Sequence, residues 1–74
     1  MNVREVFAYN LKKFRRLRGI SQEELAYLAD IDRTYVSALE RRVYSVSIDV
    51  LASIAAALAV QPHELLLKPD RKRS

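Results

Sequence analysis

Apolar residues recur at three- and four-residue steps in successive stretches of the chain, with polar or punctuating residues between them. Over residues 2–18, Val3, Val6, Phe7, Leu11, Phe14 and Leu17 make one stripe and predict a first helix. Gly19, the only glycine, stands where a left-handed residue ends a helix, with Ile20 packed behind it. Ser21 and Glu24 form an S-x-x-E capping box, and Leu25, Ala26, Leu28 and Ala29 carry a second helix. Asp30-Ile31-Asp32 breaks that pattern. Ile31 reads as the buried plug of a tight turn and Asp32 as the N-cap of a third helix. In that helix Val36 and Leu39 point inward, which leaves Arg33, Thr34, Ser37 and Arg41 on the outer side.

From Arg42 to Val46 no helical stripe exists, and the segment reads as a loop. Ser47 then caps a fourth helix whose Ile48, Leu51, Ile54, Ala55 and Leu58 are expected to face the core. Pro62 opens a short fifth helix that runs through Leu67. Leu65, Leu66 and Leu67 in succession cannot all face one small core. Either one or two of them face a partner subunit, or the group caps the end of the core. The pattern thus predicts an all-α, compact five-helix domain over residues 1–68, followed by a flexible basic tail over 69–74.

Composition narrows the function. Seventy-four residues make one small domain, with no room for a separate sensor or catalytic unit, and a dimer would bury more surface than such a core can alone. The absence of cysteine excludes disulfides and thiolate metal sites. No long apolar span or signal-like start is present, so the chain is expected to be soluble, without a membrane partner, and cytoplasmic. A formal charge of +4 and a pI of about 9.8 favour a polyanion, nucleic acid first, although such an excess also serves solubility. Lys12, Lys13, Arg15, Arg16 and Arg18 crowd the end of the first helix, where cations complement its dipole.

Catalysis finds little to work with. His63 stands alone at the start of a short helix, no Gly-rich phosphate loop exists, and Asp30 and Asp32 suit turn and capping roles. No enzyme activity, no cofactor and no metal site is expected.

The run Gly19-Ile20-Ser21-Gln22-Glu23-Glu24-Leu25-Ala26, then Asp32-Arg33-Thr34-Tyr35-Val36-Ser37, then Glu40-Arg41, resembles a known family. It is similar to the helix-turn-helix domain of phage repressors and Cro, the lambda-repressor-like fold, shared by the xenobiotic-response-element regulators of bacteria. The likeness continues through Ser47-Ile48, Leu51, Ile54-Ala55, Ala57-Leu58 and Val60, and covers residues 9–67. Asp32-Arg33-Thr34-Tyr35, with no second domain, looks most like the controller proteins of restriction–modification systems.

The resemblance implies a set of DNA-binding residues. Gln22 corresponds to the glutamine that opens the second helix and contacts a phosphate or base edge. Arg33 and Thr34 lead the recognition helix, where arginine can fork onto guanine and threonine can bond a base or phosphate. Tyr35, Ser37 and Ala38 follow as further contacts, with Tyr35 and Ala38 each open to a packing role as well. Arg41, Arg42 and Tyr44 would position the phosphate backbone. Arg15 and Glu40 correspond to an ion pair between the first and third helices. Two positions depart from the family: Arg42 replaces a common glycine and Val46 a common proline, which leaves the loop path open.

These implications add up to a sequence-specific, double-stranded DNA-binding transcription regulator. It would act as a homodimer through Leu65, Leu66 and Leu67, within the bacterial or phage nucleoid, in an autoregulatory circuit. An activator would also need a surface for RNA polymerase, and no residues mark one. The alternative is an antitoxin-like or adaptor module that binds protein on the same scaffold.

Overall fold

The computed structural model describes residues 2–69; the basic tail from Asp70 onward, a separate expectation above, lies outside the described residues. Four α-helices and one 3-10 helix follow in order: α1 Val3–Leu17, α2 Gln22–Ala29, α3 Arg33–Glu40, α4 Ile48–Leu58, and the 3-10 helix Pro62–Leu66. Each α-helix starts on a side-chain cap. Asn2 and Glu5 form a capping box before α1, Ser21 and Glu24 form another before α2, Asp32 caps α3 and Ser47 caps α4.

The helices also end alike. Gly19, Asp30, Arg42 and Ala59 all take positive φ, between 58° and 67°. After each comes a β-branched apolar residue, Ile20, Ile31, Val43 or Val60, whose N–H returns to a carbonyl five residues back. This is the Schellman motif four times over, with glycine at one of the four left-handed positions. An L-residue there costs roughly 1–2 kcal/mol. Ala59→Gly is therefore expected to raise stability by about 1 kcal/mol after the glycine's own entropic cost is subtracted. Urea denaturation checks this, and a lowered midpoint would contradict it.

The core joins Phe7 and Leu11 of α1, Leu25, Ala26 and Ala29 of α2, Val36 and Leu39 of α3, Leu51, Ile54, Ala55 and Leu58 of α4, and Leu65. α2 and α3 pack on each other, α2 packs on α4, and α1 lies against α3 and the 3-10 helix. The interior is small, so single truncations matter: Leu58→Ala or Leu25→Ala falls in the class that costs about 2–5 kcal/mol.

Five expectations need correction. Val3 and Leu17 are 64% and 71% exposed although they continue the α1 stripe. α1 has 15 residues against eight in each of α2 and α3, so it spans about 22 Å against about 12 Å and overhangs its neighbours at both ends. Ile48 opens the α4 stripe yet is 83% exposed, because the first turn of α4 projects past the core in the same way. The fifth helix is a single 3-10 segment that ends at Leu66 rather than an α-helix through Leu67. Leu65 is fully buried in the core and so cannot meet a partner, while Leu66 and Leu67 are exposed. Ile31 is half-buried rather than enclosed.

Two polar side chains stitch the fold in ways the linear pattern does not show. Asn10, buried in α1, donates from Nδ2 to the carbonyls of Leu65 at 3.0 Å and Leu67 at 2.8 Å. Arg18 donates to the carbonyls of Leu58 at 2.8 Å and Ala59 at 3.3 Å. The cation thus complements the C-terminal end of α4, and not only that of its own helix.

Candidate nucleic-acid interface

α3 is positioned from its first residue. Asp32 Oδ1 accepts from the Thr34 amide at 2.8 Å and from the Thr34 hydroxyl at 2.6 Å. The hydroxyl bond, then the amide bond, hold the Asp32 carboxyl below its ordinary value of 3.8, with a smaller contribution from Arg33 and a partly opposing desolvation. A lowered pKa means the cap's contribution is complete above pH 3.8 and is lost as pH falls through the folded value. Asp32→Asn keeps a capping oxygen and removes the titration. Its helix content, followed by circular dichroism, should lose less than that of the wild type as pH falls below that value.

Thr34 is exposed, and its hydroxyl proton is committed to Asp32. Outward it can only accept, which suits an amino group on a base edge and excludes donation to a phosphate. Its methyl remains free to touch a thymine methyl. At 100° per residue, Arg33, Thr34, Ser37 and Arg41 fall in one sector of α3, opposite Val36 and Leu39. Arg33, Thr34 and Arg41 are exposed and Ser37 is half-buried.

Ala38 does not belong to this face. It is 4% exposed. The Schellman turn brings Val43 back so that its N–H bonds the Ala38 carbonyl at 2.9 Å. Tyr35 packs against the core, and its hydroxyl donates to the Ser45 carbonyl at 3.3 Å. Its ring centroid lies 6.3 Å from that of Tyr44, tilted by 51°. Tyr35 therefore fixes the loop that follows α3.

The hub of the site is Glu40, buried at the end of α3. Arg15 reaches it from α1 through two bonds, Nε to Oε2 at 2.6 Å and Nη2 to Oε1 at 3.1 Å. Gln22, the first residue of α2, adds Nε2 to Oε1 at 3.0 Å. Arg15 also donates to the Ile20 carbonyl at 3.0 Å, so the ion pair helps close the α1–α2 turn. Three helices meet on one carboxylate. Because a carboxylate only accepts, Gln22 must turn its nitrogen inward, which leaves its carbonyl oxygen for outside contacts.

Beyond α3 the path follows from Arg42, whose φ of +64° occupies the conformation a glycine would take. Its guanidinium pairs with Glu5 at 3.1 Å, and both side chains are accessible, so the pair adds little stability. Arg4 donates to the Ser45 hydroxyl at 2.8 Å and ties the start of α1 to the same loop. No local signal announces Arg4, since its partner lies 41 residues away. The folded chain thus gathers Arg33, Thr34, Ser37 and Arg41 on one face, with Gln22 at one flank and Arg42 and Tyr44 at the other. It leaves Ala38 and Leu65 inside.

The helix-turn-helix family model matches residues 11–65, from within α1 to the 3-10 helix. The chain belongs to the helix-turn-helix family. It is 45% identical over 71 residues to a hypothetical transcription factor of Neisseria meningitidis, covering 96% of this chain and 67% of that one. The control protein C.BamHI of Bacillus amyloliquefaciens is 41% identical over 88% of this chain and 82% of its own. Among solved structures, the restriction–modification controller C.AhdI of Aeromonas hydrophila superposes with a TM-score of 0.81 at 39% identity, over 84% of this chain and 94% of that one. The Neisseria factor superposes at 0.90 with 46% identity, over 97% and 82%. This helix-turn-helix chain is thus a relative of transcription regulators, which are not enzymes, and its likeness to a restriction–modification controller extends to the fold over 84% of this chain.

Proposed function

We propose that this helix-turn-helix protein binds double-stranded DNA sequence-specifically as a homodimer and regulates transcription, its own included, in a restriction–modification circuit. The observation that carries the reading is the outward face of α3. Arg33, Thr34 and Arg41 are exposed, with Ser37 half-buried between them, on a helix anchored to α1 and α2 through Glu40. A short helix so presented can enter a major groove, with Arg33 forked onto guanine and Thr34 accepting from an amino group. Gln22, Arg41, Arg42 and Tyr44 would set the register on the phosphates. Arg33→Ala should cost on the order of 1–3 kcal/mol on the preferred duplex and relax base preference at one position. Fluorescence titration against single-base variants of that duplex reads both.

The dimer rests on apolar surface. Leu66 and Leu67 are exposed, and Leu66 lines a hollow of about 430 Å³ together with Val3, Phe7, Tyr44, Val46 and Ile48. Ile48 and Val3 are more than half exposed around it, a patch that a second copy would cover. Two recognition helices on one face would then read half-sites about one helical turn apart. Sedimentation at micromolar concentration should show a dimer for the wild type and a monomer for Leu66→Asp, Ile48→Asp. A wild type that is monomeric at every concentration would overturn this part of the reading.

A further inference from the structure

Much of the positive charge lies off the α3 face, on α1, and its placement there is specific. Tyr9, Lys12, Arg41 and Arg42 line an open crevice of about 500 Å³ between α1 and the end of α3, together with Glu5 and Glu40. Tyr9 and Lys12 also line a second depression of about 330 Å³, completed by Lys13 and Arg16. The two adjoin at Tyr9 and Lys12 and make a basic trough along α1.

Both carboxylates in the trough are committed. Glu5 accepts from the Asn2 amide and from Arg42, and Glu40 accepts from Arg15 and Gln22. Lys12 and Arg41 have no ion-pair partner among the described residues. Lys12 is half-buried and lines both depressions, so its stem is packed along α1 with the ammonium at their common edge. An unneutralised ammonium beside a guanidinium and a phenol is a site for a phosphate or another oxyanion. Arg41 belongs to both the trough and the outward face of α3, so an anion on the trough continues the path of whatever α3 contacts.

We infer that the trough holds a backbone phosphate of the duplex outside the bases read by α3, with Lys12 as its principal ligand and Arg16 as a second. This rests on the DNA-binding reading above. It widens the footprint by contacts that carry affinity but no sequence information. It also gives the basic residues of α1 a role beyond complementing a helix dipole.

The test uses the full chain, a duplex selected for binding, and the same duplex extended by several base pairs at both ends. Wild type should bind the extended duplex more tightly, and Lys12→Gln should lose that gain. The slope of log affinity against log salt should fall by roughly one per phosphate contact removed per subunit. Equivalently, the wild-type advantage should shrink by about three- to fourfold per contact between 50 and 200 mM salt. Lys68→Gln removes the same charge outside the trough and should keep the gain on extension. Arg16→Gln repeats the test from an exposed position where folding is not in question, and thermal melting confirms that each variant is folded. Equal slopes for wild type, Lys12→Gln and Arg16→Gln would overturn the inference, as would an equal loss in Lys68→Gln. A wild type that binds no duplex at all would instead overturn the regulator reading, and this inference with it.

Discussion

Glu40→Ala is expected to lower stability by about 3–5 kcal/mol, because it leaves the Arg15 guanidinium, 13% exposed, without its counter-ion. For a domain of ordinary stability, about 5–15 kcal/mol, that is a large share of the total. Urea denaturation reads it directly, and an unchanged midpoint would contradict the role given to the pair. The same experiment separates orientation from stability. Attraction between buried charges is offset by desolvation, so Arg15→Met, Glu40→Leu together should recover much of what either single truncation loses. If the pair's task is to orient α3, that double variant will melt near the wild type and still bind its duplex weakly. Full recovery of both would show that the pair serves stability alone.

Asn10→Ala carries the second large effect. The side chain is 3% exposed and satisfies two carbonyls at the end of the 3-10 helix. Each acceptor left without a partner costs about 1–3 kcal/mol when buried, so the loss should reach about 2–4 kcal/mol. Because Asn10 holds the backbone of Leu65 and Leu67, the variant should also weaken the proposed dimer. Asn10→Asp is the sharper form of the test, since an ionised carboxylate cannot donate and would face two carbonyl oxygens. Denaturation and sedimentation on the same samples measure both effects. A stable, dimeric Asn10→Asp would refute the assigned role.

What could be read from the chain follows how local each signal is. Ser21 with Glu24, Asp32 and Ser47 were legible because a helix start is written within four residues. The left-handed residue that ends a helix was legible at Gly19 alone. Asp30, Arg42 and Ala59 take the same left-handed conformation without the residue that advertises it. Their common signal, a β-branched apolar residue immediately after, is visible in the sequence at Ile31, Val43 and Val60. Periodicity identified each helix but not how far its neighbours reach, which is why Val3, Leu17 and Ile48 fall outside the core.

The site divides in the same way. Arg33, Thr34, Ser37 and Arg41 follow from the helical period and the Asp32 cap. The Arg15–Glu40 contact followed from resemblance, since 25 residues separate the partners. Gln22 as a third member of that cluster, Arg4 on Ser45 and Arg18 on the end of α4 are tertiary contacts with no local trace. Ala38, which the sequence left open between contact and packing, is buried, and helical period alone does not decide between the two.

The central claim is that the outward face of α3 reads base sequence. Selection of bound duplexes from a random library, run beside the Arg33→Ala, Thr34→Ala double variant, tests it most directly. The account predicts a two-fold symmetric motif for the wild type that the folded double variant loses. Enrichment of nothing above background by the wild type, or of the same motif by both proteins, would contradict it.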